Sequence, residues 1–133
     1  SGFEDTFGKG EGKRNMPGIQ DYTRIEPLDE EIVMQQDSLA DLCQKVYVAA
    51  GVPKEDARLV ARLQAETEVR GVHSHGPRAM PGYVTRLQKG HTNPVPNIIV
   101  TQEGPSYATL DGDGSLGQLV SHRAMLLAMR EGY

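Results

Sequence analysis

The sequence predicts an α+β chain in which an N-terminal helical segment is followed by a β-hairpin and a further helix. Apolar residues recur at spacings of three and four between residues 37 and 70, which is the spacing of one helical face. Farther along, two short apolar runs flank a Gly-Pro turn, a pattern typical of a hairpin. Because a two-stranded ribbon with helices is an incomplete layer architecture, we expect the front part of a larger protein.

The organisation of the chain follows from its composition. We expect residues 1–36 to form a disordered or arm-like extension, and residues 37–133 to be the N-terminal portion of a domain. Residues 1–20 hold five glycines among scattered charges, and their few apolar residues have no regular spacing. Residues 21–36 are acidic, so that a short helix and an arm lying on a neighbouring surface both stay open.

Charge and composition exclude several functional classes. The net charge is −4, and residues 1–36 carry eight acidic and four basic residues, which leaves ten of each sign in the remainder. Without a basic surplus, nothing favours a nucleic-acid partner. No apolar run approaches the ~20 residues of a membrane-spanning helix. The single cysteine, Cys43, excludes an internal disulfide framework, so we expect a cytoplasmic protein.

Two helices are expected first. One begins at Asp37 or Ser38, either of which can cap a helix, and the second, residues 54–70, follows Pro53. A glycine ends each of them. Cys43 lies on the apolar stripe of the first helix, so we interpret it as a small core residue. The expected buried positions are Leu39, Leu42, Cys43, Val46, Tyr47, Ala50, Leu59, Val60, Leu63 and Thr67.

The second half should contain a short helix at residues 81–89, with Tyr83 among its inward positions, and strands at 98–101 and 107–110 joined by a turn at 103–106. A fourth helix then starts near Leu116. Between the last strand and this helix, residues 112–117 match the G-x-G-x-x-G dinucleotide fingerprint. That fingerprint normally opens a parallel βαβ unit, whereas here it follows a hairpin, so we interpret it as a plain tight turn.

Chemistry is concentrated in the link between the second and third helices. Residues 70–78, with the sequence RGVHSHGPR, bring two imidazoles, a hydroxyl and two guanidinium groups into a segment whose glycines and proline interrupt both helices. An imidazole can transfer a proton near neutral pH, which makes His75 a candidate acid or base, and Arg78 can hold a carboxylate through two hydrogen bonds. The alternative is an exposed linker in which both residues cap helix ends.

Other chemistries fit the link less well. His73 and His75 are two potential metal ligands, but a site needs three or four, and only His91, His122 and carboxylates at no diagnostic spacing remain. We therefore expect no metal. A Ser74 nucleophile with a His75 base is disfavoured too, because adjacent side chains seldom face each other and no third group orients them.

Residues 70–76 resemble the type-2 malate/L-lactate dehydrogenase family, a non-Rossmann group that includes ureidoglycolate, sulfolactate and diketogulonate oxidoreductases. The resemblance continues in the same order through residues 83–90, Asn93-Pro94 and residues 110–118, and covers residues 37–133. It implies an L-sulfolactate dehydrogenase-like fold and a homodimer. The implied activity is interconversion of a 2-hydroxy acid and a 2-oxo acid with NAD or NADP.

The resemblance also implies roles for individual residues. His75 matches the family's proton-transferring histidine, and Ser74 and Tyr83 match positions that contact the substrate or hold the imidazole. The family's carboxylate-binding arginine usually comes four residues after the histidine, where this chain has Ala79, so Arg78 is the candidate for substrate binding. The cofactor-binding residues are expected mostly beyond Tyr133.

Two other functions stay open on the sequence. The chain could be a non-catalytic helical binding or dimerisation module with an acidic flexible tail, in which His75 and Arg78 are structural. It could also be a degenerate family member, because Ala79 occupies the usual arginine position.

Overall fold

A computed structural model describes residues 33–132, and those from Met34 onward belong to one compact unit. The predictions for residues 1–32 fall outside the described part. The elements follow in the expected order, so the helix-rich α+β prediction is confirmed. They are α1 (Gln36–Ala49), α2 (Lys54–Val69), α3 (Met80–Gln88), β1 (Ile99–Gly104), β2 (Tyr107–Asp111) and α4 (Gly117–Glu131).

Helices α1 and α2 pack against each other and are joined by a short connection, in which Gly51 has a φ of +96°. The prediction that Asp37 or Ser38 caps α1 is wrong, since the N-cap is Gln35 and its side chain makes no capping bond. Asp37 instead lies in the first turn of α1, where its charge favours the positive end of the helix.

The core lies where the helical pair meets α3 and the start of α4. Cys43 and Tyr47 are buried as expected. Leu42 is 47% exposed, so the prediction that it is a buried residue of α1 is wrong. Gln64 was not expected in the core, but it is buried and accepts a hydrogen bond of 2.8 Å from the Tyr47 hydroxyl. This bond satisfies the amide oxygen, whereas Nε2 of the same side chain is buried without a partner among the described residues. The central cluster is Tyr47, Val52, Ala57, Val60, Leu87, Leu116 and Leu119.

The two strands form an antiparallel hairpin in which Gly104 pairs with Tyr107, so the turn is shorter than the four residues expected. The register shifts between Val100 and Gln102, which marks a bulge at the intervening residue. Most of β1 is exposed. The hairpin therefore extends from the helical core without closing a layer over it.

A tight turn connects β2 to α4, as the sequence predicts. Asp113 and Gly114 have φ values of 51° and 65° there. The Asp113 carboxylate accepts hydrogen bonds from the side-chain Nδ2 of Asn93 at 2.8 Å and from the backbone N–H of Asn97 at 2.9 Å. The turn thus fixes the loop that leads into the hairpin.

Candidate active site

The link between α2 and α3 is more regular than the sequence suggests. Gly71 follows the end of α2 and has a φ of +80°. Two 3₁₀ turns come next, His73–His75 and Pro77–Ala79. Helix α3 then begins at Met80, one residue before the predicted start. Short 3₁₀ turns change the direction of successive side chains more sharply than an α-helix does, so they can present several polar groups from few residues.

Ser74 and His75 face each other, which corrects the expectation that adjacent side chains would not meet. Ser74 Oγ lies 2.9 Å from His75 Nδ1, and both residues are exposed. Whichever group donates in this hydrogen bond, Nδ1 is occupied, and Nε2 is the ring nitrogen left for a ligand. The His75 amide also donates to the Val72 carbonyl at 3.0 Å, which anchors its backbone.

Glu68, in the last turn of α2, contacts the same link. Its Oε1 lies 2.5 Å from His73 Nδ1, so the carboxylate accepts a hydrogen bond from the imidazole. Its Oε2 is buried and has no hydrogen-bond partner among the described residues. Gly76 is buried against this oxygen, and a Cβ atom added there would overlap it. No sequence motif singled out Glu68, and only its spacing of five residues from His73 could have indicated the pair.

The other expected site residues have different surroundings. Arg78 lies in the second 3₁₀ turn, is exposed and makes no ion pair within residues 33–132. Tyr83 is half-buried and packs against the core cluster. The structure thus gathers Ser74, His75 and Arg78 in consecutive exposed turns, whereas Tyr83 also has a packing role.

Two clefts lie away from this link. One of 680 Å³ runs between α2, the loop before β1, and α4, and another of 480 Å³ lies between the hairpin and α4. Neither is lined by His75 or Arg78. The described residues contain no group of three or more His, Cys, Asp or Glu side chains arranged to hold a metal. None of their helices has the length and hydropathy of a bilayer-spanning segment.

The glycine-rich turn does not fit a dinucleotide cradle. A Cβ atom at Gly112 would lie 2.6 Å from Val120 Cγ2, so this glycine permits close packing of the turn on α4. Gly114 is required by its positive φ of 65°. The preceding strand β2 belongs to an antiparallel hairpin rather than to a parallel βαβ unit. Packing and backbone geometry therefore account for both glycines without a pyrophosphate.

Burial changes the acidity of two core residues. Loss of solvation raises the pKa of the Cys43 thiol and the pKa of the Tyr47 phenol. Cys43 is fully buried and is not in a disulfide. Both groups are therefore neutral core residues near pH 7, and the expectation that Cys43 is a core residue is confirmed.

Comparison with known proteins gives a consistent result. A family model described as malate/L-lactate dehydrogenase matches residues 34–132. The malate dehydrogenase structure from Pyrococcus horikoshii superposes with a TM-score of 0.73 at 42% identity over 76% of this chain and 29% of that one. For sulfolactate dehydrogenase of Methanocaldococcus jannaschii, the TM-score is 0.73 at 36% identity over 76% and 29%.

A third relative is the ureidoglycolate dehydrogenase (NAD(+)) of Escherichia coli K12, which is 31% identical over 73% of this chain and 28% of its own length. The chain therefore spans less than a third of the length of the relatives it matches. The resemblance inferred from residues 70–118 is confirmed over nearly all of the described part. The chain belongs to the malate/L-lactate dehydrogenase family.

Proposed function

We propose that this chain is the N-terminal part of an NAD(P)-dependent oxidoreductase that interconverts a 2-hydroxy acid and a 2-oxo acid. The observation that carries the proposal is the Ser74–His75 hydrogen bond of 2.9 Å, which occupies Nδ1 and leaves Nε2 of an exposed imidazole for a substrate. Membership of a family whose relatives are named as malate, sulfolactate and ureidoglycolate dehydrogenases supports it.

His75 is the proton-transferring residue in this proposal. Oxidation of a secondary hydroxyl removes a hydride from carbon, and the hydroxyl proton must go to a base. An imidazole whose Nδ1–H donates to Ser74 Oγ has an unprotonated Nε2 that can accept this proton. In the reverse direction, the protonated ring returns it to the carbonyl oxygen. The Ser74 hydroxyl can accept from Nδ1–H in this tautomer, and it therefore leaves Nε2 directed to the substrate.

Arg78 and Tyr83 are the proposed substrate-binding residues. An exposed guanidinium without an ion-pair partner in the described part can form two parallel hydrogen bonds with a carboxylate. The Tyr83 hydroxyl can bind a second substrate oxygen while its ring packs on the core. A site of this kind recognises the carboxylate and the adjacent hydroxyl together.

The cofactor is proposed as NAD or NADP, and it supplies the hydride chemistry when bound. Support comes from the relatives, one of which carries NAD(+) in its name. A non-Rossmann cofactor domain is part of the same proposal, because no parallel βαβ unit is present from residue 33 to residue 132.

We further propose that the full-length protein is a homodimer and that it is located in the cytoplasm. The alternative of a non-catalytic binding module finds no support in these relatives.

Turnover assays on the full-length protein that carries this chain test the proposal. Malate, L-lactate, sulfolactate and ureidoglycolate would each be supplied with NAD⁺ and with NADP⁺, alongside 2-propanol as a secondary alcohol without a carboxylate. We expect reduction of cofactor with at least one hydroxy acid and none with 2-propanol. Equal turnover of 2-propanol, or no turnover of any 2-hydroxy acid, would contradict the proposal.

A further inference from the structure

Glu68 occupies a position that lowers the stability of its own helix. It lies in the last turn of α2, where the negative end of the helix dipole disfavours a carboxylate. Its Oε2 is buried and unpartnered among the described residues, which adds the cost of an unsatisfied polar atom. A residue that carries two unfavourable terms is a candidate for a role other than stability.

The contacts of Glu68 suggest what that role is. Oε1 accepts a hydrogen bond from His73 Nδ1, at the first residue of the turn that carries Ser74 and His75. The other side of the same side chain lies against Gly76, the residue directly after that turn. One carboxylate therefore contacts both ends of a three-residue turn.

The contact with Glu68, and not the backbone conformation, is the reason that a glycine fits at residue 76. Its φ of −83° lies in the range open to any residue. A Cβ atom there would nevertheless stand 3.3 Å from both Glu68 Cβ and Glu68 Cδ, besides overlapping Oε2. A side chain at residue 76 would therefore require the Glu68 carboxylate to move from its present position.

We propose that Glu68 is a positioning residue for proton transfer. By holding His73 and packing against Gly76, its carboxylate fixes the 3₁₀ turn and thereby the direction in which His75 presents Nε2 to the substrate. This inference rests on the function proposed above. The Glu68 carboxylate is hydrogen-bonded to His73 rather than to His75, and it acts through the backbone of the turn.

The kinetic test compares Glu68→Gln with Glu66→Gln in the full-length protein. Glu66 lies on the same helix, but its carboxylate pairs with Arg62 at 3.6 Å on the surface. We expect Glu68→Gln to lower kcat about tenfold, as a small misplacement of a catalytic group does, with KM within about twofold. Glu66→Gln should change neither, and the melting temperatures of both variants should stay near wild type. A kcat loss in Glu68→Gln that follows a lowered melting temperature would assign Glu68 a purely structural role and overturn the proposal.

A second measurement separates this inference from the proposed function. Histidine-selective ¹⁵N labelling of the full-length protein reports the tautomer of each ring through its nitrogen chemical shifts, and a His75→Asn spectrum assigns the His75 signals. We expect one fixed tautomer of His75 in wild type and in Glu66→Gln, and averaged shifts in Glu68→Gln. Identical His75 shifts in all three proteins would overturn the role of Glu68, even if the turnover assays succeed. An altered ring in a protein without turnover would support the positioning and reject only the dehydrogenase.

Discussion

Individual residues in this chain owe their properties to what lies immediately around them. His75 acquires a defined free nitrogen because Ser74 engages the other one at 2.9 Å. In the core, the Tyr47 hydroxyl donates to Gln64 Oε1 at 2.8 Å, so the phenol and the amide oxygen are both paired there. These pairings make single substitutions informative, since each removes one identifiable interaction.

Tyr47→Phe should lower the free energy of unfolding at pH 7 by about 1–3 kcal/mol, because it leaves Gln64 Oε1 buried without a donor. Burial raises the pKa of the Tyr47 phenol above its ordinary value of 10.0. The unfolded chain therefore loses this proton first, so wild-type stability is retained below pH 10 and falls as the pH rises further, by up to about 1.4 kcal/mol per pH unit.

Denaturant unfolding of the full-length protein between pH 7 and pH 11 measures both effects. In Tyr47→Phe the alkaline fall should be shallower than in wild type. Tyr107→Phe is the matched control, because its ring is 47% exposed. Equal alkaline slopes in wild type and Tyr47→Phe would show that the buried phenol does not cause the fall.

Arg78→Lys should raise KM for the oxo acid about tenfold with a smaller change in kcat, because lysine keeps the charge but loses the two-hydrogen-bond geometry. Arg86→Lys is the matched control on α3, where the side chain is also exposed. Steady-state kinetics of the full-length protein gives both constants. If Arg86→Lys raised KM and Arg78→Lys did not, the carboxylate-binding role would belong to Arg86.

At the scale of elements, the turns and loops contain the positive φ angles and the side-chain hydrogen bonds that hold neighbouring elements in place. Asp113 is the clearest case, because its φ of 51° is uncommon for a residue with a side chain and its carboxylate holds two groups of the loop before β1. The same turn positions the start of α4 through the close approach of Gly112 to Val120.

Asp113→Ala should therefore lower the free energy of unfolding by about 1–2 kcal/mol, since alanine loses both accepted hydrogen bonds and tolerates a positive φ poorly. Asp113→Asn keeps an acceptor oxygen and tolerates this backbone, so its loss should be less than half as large. Chemical denaturation of the two variants beside wild type measures the difference. Equal losses would mean that the side-chain bonds to Asn93 and Asn97 contribute nothing.

The elements themselves were largely predictable from the sequence, because apolar spacing and glycine or proline breaks determine them locally. Helix α2 was placed within one residue of its end, and the hairpin was identified with a turn that is too long. The Ser74–His75 and Glu68–His73 contacts were not predictable, because they depend on two successive 3₁₀ turns. The burial of Gln64 was missed for a similar reason, since its partner Tyr47 lies 17 residues away.

At the scale of the whole molecule, the described unit leaves much apolar surface uncovered. Five large apolar side chains in its helices and loops are at least half exposed, and β1 adds Ile99 and Val100. The chain also spans only 29% of the length of the malate dehydrogenase it matches. Exposed apolar surface of this extent favours contact with further protein surface, and we predict that the unit needs such a contact for its stability. The five are Val69, Val95, Met125, Leu126 and Met129.

The 133-residue chain alone should therefore be only marginally folded, prone to dimerise, and catalytically silent. Thermal unfolding followed by circular dichroism should show a broad transition, and titration with NADH followed by fluorescence should show no saturable binding in the micromolar range. A sharp cooperative transition together with saturable NADH binding would instead identify a self-sufficient domain and return the turn at residues 112–117 to consideration as a cofactor site.

The most direct test of the central claim is the kcat of His75→Asn in the full-length protein, measured with its best 2-hydroxy acid and cofactor. Removing a general acid or base should lower kcat by about 10² to 10⁴ with little change in melting temperature. His91→Asn, an exposed histidine outside the link, should leave kcat unchanged. Wild-type turnover by a folded His75→Asn protein would contradict the assignment of proton transfer to His75.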